Sequence, residues 1–86
     1  MALNPQLRDI LTLIGDLTHN NVNVSIHDTA IIQRRPNVPA NEMYNYLNQL
    51  ESLGYIKIER PMSGAGFRLV NIIKEGIMAL TNQDLR

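Results

Sequence analysis

The middle of the chain carries side-chain amides and tyrosines at the spacing of one helix face. An asparagine or glutamine amide holds a donor beside an acceptor, so it can make two hydrogen bonds to the edge of an adenine. A tyrosine can contact a phosphate or a thymine methyl group. The same residue types also cover helix faces that contact only water, and this alternative stays open. The candidate base contacts are Asn41, Tyr44, Asn45, Asn48 and Gln49.

Four arginines offer a second kind of chemistry, because a guanidinium group can bind phosphate oxygens through paired N–H donors. Arg34 and Arg35 stand just before a proline, where a helix is expected to end. Arg60 and Arg68 flank the break in "RPMSGAGFR", which contains one proline and two glycines. We interpret all four as candidate phosphate contacts. The alternative is ordinary surface arginine in ion pairs with nearby glutamates.

Catalytic chemistry is not indicated. The carboxylates form no close pair suited to acid–base work, and no serine has a visible base. The glycines of the break lack the lysine and the strand-to-helix context of a phosphate-binding loop. His19 and His27 could bind a metal with a neighbouring aspartate, but two histidines without a cysteine are weak evidence. We therefore expect no enzyme, no metal, no cofactor and no small-molecule substrate.

The first third of the chain is predicted to form two helices joined by a short strand. An asparagine-proline pair and an apolar stripe predict a helix over 5–18. Alternating apolar and polar residues predict a half-buried strand over 22–26. The Ser-x-x-Asp spacing that begins at Ser25 resembles a capping box, so a second helix should start at 26 or 27 and end near Arg34.

The candidate base contacts fall on a third predicted helix, over about 39–53. Gly54 ends that helix, and the apolar period changes there from 3.6 residues to 2, which predicts an antiparallel hairpin over 54–72 with its second strand at 67–72. A fourth helix follows, although Gly76 costs it about 1 kcal/mol relative to alanine. The predicted core consists of Leu7, Ile10, Leu11, Ile14, Met43, Leu47, Leu50, Ile56 and Ile58.

The composition is that of one small globular domain over residues 1–86, with 44% apolar residues and no cysteine. No apolar run approaches the 18 or so residues of a membrane span, and the N-terminus lacks the features of a signal peptide, so we expect a cytoplasmic protein. The formal net charge is zero. Nonspecific nucleic-acid binding normally depends on a basic excess, so this balance weighs against it.

Two stretches resemble the winged helix-turn-helix domain of MarR-like and PadR-like transcription regulators. "MYNYLNQLESLGYIKIER" is similar to the segment in which their recognition helix continues into the wing, with matches at Leu47, Leu50, Glu51 and the "GYI" at 54–56. "VNIIKEGIMAL" is similar to the return from the wing into the next helix, with Gly76 at the usual glycine. The resemblance covers about residues 25–80.

The resemblance implies a mainly α fold with a small antiparallel sheet (α+β), in the order helix, strand, helix, helix, strand, wing, strand, helix. It also implies a small, sequence-specific transcriptional regulator that binds double-stranded DNA. The helix at about 39–53 would lie in the major groove, and the wing at 60–68 would contact the backbone. Arg34 and Arg35 would lie where the phosphate backbone passes.

A second function remains open. The third helix has no lysine or arginine between Asn41 and Leu53. Together with the neutral charge, this favours a winged-helix module for protein–protein interaction, or a small subunit of a larger assembly, that does not bind DNA directly. We also expect a homodimer through the first and last helices, since one short module makes few contacts with DNA and a symmetric dimer doubles the site. The apolar residues without an evident place in the core are Met1, Leu3, Leu13 and Met78.

Overall fold

The computed structural model describes residues 4–60 and 68–84. Four helices and three strands lie within these two segments. In chain order they are α1 (Pro5–Thr18), β1 (Ile26–His27), α2 (Asp28–Arg34), α3 (Ala40–Ser52), β2 (Ile56–Glu59), β3 (Leu69–Ile72) and α4 (Lys74–Asp84). None of these helices has the length and apolar composition needed to cross a bilayer.

The three strands form an antiparallel sheet in the order β1-β3-β2. Val70 of the central strand pairs with Ile26 on one side and with Ile58 on the other, and Ile56 pairs with Ile72. β2 and β3 are therefore the arms of the predicted hairpin. The bend between them, residues 61–67, lies outside the described residues, as does the predicted start of β3 at residue 67.

The first strand is much shorter than its alternating sequence predicts. In place of a strand over 22–26, residues 21–24 form a turn in which Asn21 Oδ1 accepts a hydrogen bond from Asn23 N and Asn21 O accepts one from Val24 N. An asparagine side chain that bonds the backbone two residues on favours such a turn over a strand. Val22 is consequently exposed, at 45%, rather than turned toward the core.

The core lies between α1, α3 and the inner face of the sheet. All nine residues of the predicted core are buried, which confirms that part of the prediction. Four further residues belong to the same cluster, namely Leu13, Ile31, Val70 and Ile72. Leu13 was predicted to be spare apolar surface. That prediction is wrong, because the residue points into the core and is only 5% exposed.

The helix ends follow the sequence in one case and depart from it in another. The Asn4 side chain accepts a hydrogen bond from Gln6 N, as expected of an N-cap, and α1 has the predicted bounds. The capping box expected at α2 does not form. Ser25 Oγ instead donates to Asn71 Oδ1 on β3, and His27 occupies the N-cap position without a side-chain cap bond. Ser25 therefore ties the chain to the sheet.

Two glycines determine how α3, the hairpin and α4 connect. Gly54 ends α3 with φ +82°, in the left-handed region that glycine enters without strain. Gly76 lies where α4 rests on the chain just before β2, so close that a Cβ at this position would collide with the Tyr55 carbonyl. Glycine at position 76 destabilises the helix itself, but it is needed for packing, because only glycine lets α4 lie this close to the Tyr55 carbonyl.

Candidate nucleic-acid interface

α3 has one buried face and one face that is open to solvent. Met43, Leu47 and Leu50 anchor the helix in the core, and this fixes the direction of the residues between them. The four candidate amides, Asn41, Asn45, Asn48 and Gln49, are all exposed. Within the described part of the chain their side chains make no hydrogen bond, so their donors and acceptors are available to a partner. Asn45, Asn48 and Gln49 also line an open groove with Leu7, Ser52 and Leu53.

Tyr44 has different surroundings from the four amides. Its hydroxyl donates a 2.9 Å hydrogen bond to Oδ2 of Asp28, the first residue of α2, whose side chain is fully buried. The guanidinium carbon of Arg68 lies over the Tyr44 ring, 4.3 Å from its centroid. The hydrogen bond to Asp28, followed by burial and the charge of that carboxylate, raises the pKa of Tyr44. The polar end of Tyr44 is therefore engaged inside the molecule.

Arg35 forms the best-defined ion pair among the described residues. Its Nε and Nη2 atoms donate to Asp9 Oδ2 and Oδ1 at 2.8 and 2.9 Å, which links the end of α2 to α1. The Arg35 guanidinium lowers the pKa of Asp9, and Asp9 raises the pKa of Arg35. Arg34, its neighbour, is exposed and makes no ion pair with any residue of the described segments. A carboxylate therefore pairs with the charge of Arg35, whereas none within the described segments pairs with the charge of Arg34.

The arginines of the wing stand at the base of the hairpin. Arg60 directly follows β2, and its Nη2 lies 3.7 Å from Glu51 Oε1. The other oxygen of Glu51 accepts a 3.1 Å hydrogen bond from Ile58 N, so this glutamate braces the last turn of α3 against β2. Arg68 directly precedes β3, and its carbonyl accepts a hydrogen bond from Asp28 N at 3.0 Å. Both candidate phosphate contacts are therefore held close to α3.

The cluster of Asp28, Tyr44 and Arg68 was missed by the sequence reasoning. Its members come from α2, α3 and the start of β3, and 16 residues separate even the first two. A local sequence pattern cannot predict a contact between residues so far apart along the chain. From sequence, an aspartate near a helix start is interpreted as part of a cap, and Asp28 was interpreted in this way. Its burial is visible only in the structure. Among the described histidines and carboxylates, no three lie close enough together to hold a metal ion.

Comparison with known proteins places the fold. No protein-family model matches the sequence, and no curated protein matches it either. Among solved structures, the chain is similar to a crystal structure of a cysteine-to-serine mutant of MarR from E. coli in complex with operator DNA. The TM-score is 0.74 at 14% sequence identity, with 93% of this chain and 52% of the MarR chain covered. The chain therefore spans about half the length of that protein.

This likeness establishes a winged helix-turn-helix fold of the MarR type. α2 and α3 form the helix-turn-helix, β2 and β3 form the wing, and the mainly α architecture with a small antiparallel sheet is as predicted. At this level of identity the comparison speaks to the fold alone.

Proposed function

We propose that this protein is a small, sequence-specific transcriptional regulator that binds double-stranded DNA. α3 lies in the major groove in this proposal, and the wing at 60–68 lies on the backbone. The observation that carries the proposal is the set of four exposed side-chain amides on one face of α3, none of which makes a hydrogen bond to a described residue. The DNA complex of the MarR mutant supports it, because a protein of this fold was solved on operator DNA. A regulator of this kind would work in the cytoplasm.

The proposed base contacts are Asn41, Asn45, Asn48 and Gln49. An amide that bonds an adenine edge through both of its polar atoms contributes about 1–3 kcal/mol of discrimination against another base. Replacing Asn45 or Gln49 by alanine should therefore relax the preference at one base pair and leave binding to random DNA nearly unchanged. Selection of preferred sites from a randomised duplex library, for the unmodified protein and each variant, measures this directly.

The proposed phosphate contacts are Arg34, Arg35, Arg60 and Arg68. Because α3 contains no cation, these residues supply most of the attraction to the DNA backbone. Each lost phosphate contact should lower the slope of log affinity against log salt by about one. Fluorescence anisotropy with a labelled random duplex over a salt series tests the proposal. Unchanged affinity at low salt after all four are replaced by alanine would refute the mechanism.

A protein-interaction module is the second candidate function. Leu53 is 50% exposed and borders the groove that the α3 amides line. An apolar side chain beside uncharged polar groups suits a protein surface better than a phosphate backbone. No binding of random duplex DNA by the unmodified protein at low salt would favour this function over the first.

We further propose a homodimer that forms through α1 and α4. Met78 on α4 is 48% exposed, and α4 packs on α1. Leu13 lies in the core and contributes nothing, while Met1 and Leu3 lie outside the described residues. Sedimentation equilibrium that shows a monomer at high micromolar concentration would remove this proposal. Replacing Met78 by glutamate should shift a dimer toward monomer without unfolding it.

A further inference from the structure

Three side chains from three elements meet where the hairpin adjoins α3. They are Asp28 at the start of α2, Tyr44 in α3 and Arg68 directly before β3, and we refer to them as the Asp28 cluster. We propose that Tyr44 is a platform that holds Arg68 for contact with a nucleic-acid phosphate, and that Asp28 is the positioning residue of this platform. The proposal rests on the DNA-binding function proposed above.

The burial of Asp28 supports a positioning role. Its side chain is 0% exposed, and Oδ2 accepts the Tyr44 hydroxyl hydrogen bond. Oδ1 is buried and has no hydrogen-bond partner within the described segments. A buried carboxylate with one unsatisfied oxygen is unfavourable for folding, so its presence calls for an explanation other than stability. Holding the orientation of Tyr44 is the task that its one side-chain bond performs.

Tyr44 connects Asp28 to Arg68, because its hydroxyl bonds the carboxylate and its ring lies under the guanidinium group. With the hydroxyl bonded to Asp28, the ring has one fixed position, and the Arg68 guanidinium rests on it at 4.3 Å. A guanidinium group that rests on a ring face still has N–H donors at its edge for phosphate oxygens. Asp28 N also donates to the Arg68 carbonyl, so Asp28 holds the backbone of Arg68 directly and its side chain through Tyr44.

The proposal assigns Tyr44 a different role from base reading. A base-reading tyrosine needs its hydroxyl or ring edge in the groove, whereas here the hydroxyl points to a buried carboxylate and a cation lies over the ring. Loss of a base reader changes which sequence is preferred. Loss of a platform weakens binding to every sequence to the same degree.

The sign of one substitution separates positioning from simple electrostatics. Asp28→Asn removes a negative charge close to the proposed interface, so long-range electrostatics alone would tighten DNA binding. The platform predicts the opposite, because the neutral amide of asparagine accepts a weaker hydrogen bond from Tyr44 than a carboxylate does. The weakening on random duplex should reach at most about 5-fold, the equivalent of one exposed cation–π contact. Glu42→Gln is the matched control, because Glu42 is an exposed acid in the first turn of α3 and its removal should tighten binding.

A double-mutant cycle with Arg68→Ala completes the test. Once Arg68 is absent, Asp28→Asn should no longer weaken binding, and Tyr44→Leu should have no further effect. Arg68→Lys is a second probe that leaves the fold and the charge in place. It should lose most of what Arg68→Ala loses, because an ammonium group lacks the flat guanidinium plane.

Each outcome of these measurements decides between the proposals. Tighter binding by Asp28→Asn, additive losses in the cycle, full activity of Arg68→Lys, or an altered sequence preference of Tyr44→Leu each overturns the platform while the DNA-binding function stands. An unmodified protein that fails to bind duplex DNA at low salt overturns the function and this role together. Loss of fold by Asp28→Asn, seen by circular dichroism, leaves the decision to the Arg68→Lys and Tyr44→Leu variants.

Discussion

Replacing Gly76 by alanine tests how closely α4 docks on the sheet. A Cβ at this position would collide with the Tyr55 carbonyl oxygen, and it would also lie 3.1 Å from the Tyr55 carbonyl carbon and 3.2 Å from Ile72 Cγ1. Two of these three atoms belong to the backbone and cannot rotate away. The same carbonyl accepts a hydrogen bond from Ile73 N at 3.1 Å, immediately before α4 begins. Relief of the collision must therefore move α4 away from β2 and strain that bond.

The magnitude follows from two opposing effects. In a helix with free space, glycine to alanine stabilises by about 1 kcal/mol, because alanine loses less backbone entropy on folding. Overpacking against a rigid neighbour costs about 1–3 kcal/mol, and the strained hydrogen bond adds to this cost. We expect a net destabilisation of about 1–3 kcal/mol. For a domain of this size, each kcal/mol lowers the melting temperature by about 4–8 °C.

Gly15→Ala provides the matched control for urea unfolding of Gly76→Ala. A Cβ at Gly15 would come within 2.7 Å of Asn20 Oδ1, the end of an exposed side chain that can rotate, while its other contacts are of ordinary length. Gly15→Ala should therefore be neutral or stabilising by up to about 1 kcal/mol. If Gly76→Ala unfolds at the same or a higher urea midpoint than the unmodified protein, the account of α4 docking is wrong.

Three further predictions concern the core, the ion pair and the buried hydroxyl. Leu47→Ala should lower the free energy of unfolding by about 2–5 kcal/mol in urea, because Leu47 is 1% exposed, and a loss under about 1 kcal/mol would contradict its central place. Arg35→Ala should lower the free energy of unfolding by at most about 1 kcal/mol near neutral pH, because the pair with Asp9 is partly exposed. Since the folded-state pKa of Asp9 is lowered, the contribution of the pair is complete above about pH 4 and is lost as the pH falls through that pKa. Equal effects of Arg35→Ala at pH 7 and at pH 2 would refute this role of the pair. The raised pKa of Tyr44 predicts that Asp28→Asn, which removes the carboxylate charge, moves part of the tyrosine absorbance change in an alkaline titration to lower pH. The associated stability is complete below about pH 10 and is lost as the pH rises through the folded-state pKa, and a titration curve that Asp28→Asn leaves unchanged would contradict it.

The parts of the fold that depend on local sequence were predictable. The bounds of α1 follow from a capping asparagine, a proline and an apolar stripe, and the structure places them where the sequence does. The change of period at Gly54 likewise locates the end of α3 and the start of β2, since both are properties of neighbouring residues. The likeness to the MarR mutant confirms the fold class that these elements indicate.

The parts that depend on distant contacts were not predictable in this way. Alternation at 22–26 satisfies the pattern of a strand, but the Asn21 side chain closes a local turn there, and the Asn71 amide on β3 also donates to the carbonyls of Val22 and Val24. The Ser25 hydroxyl also bonds to Asn71 and therefore does not form the expected capping box at α2. Both departures from the prediction involve Asn71, a polar side chain more than 40 residues further along the chain.

The charge of α3 carries the main argument against DNA binding, and the structure reduces its weight. From sequence, Glu42 and Glu51 both oppose an approach to phosphates, and no cation on the helix offsets them. Glu51, however, has both carboxylate oxygens occupied, one by Ile58 N and one by Arg60, so it acts as a brace between α3 and β2 rather than as a free charge.

Glu42 alone then remains as an exposed acid on α3, and it lies in the first turn, where the helix dipole stabilises a negative charge. The pairing with Glu51 also reduces the attraction of Arg60 for a phosphate, and the pairing with Asp9 does the same for Arg35. Among the four proposed phosphate contacts, the positive charge that no carboxylate pairs within the described residues is therefore that of Arg34 and of Arg68, which lies above the Tyr44 ring. A protein built in this way should have a shallow salt dependence and weak binding to random DNA. Its affinity for the correct site would then depend mainly on the four amides of α3.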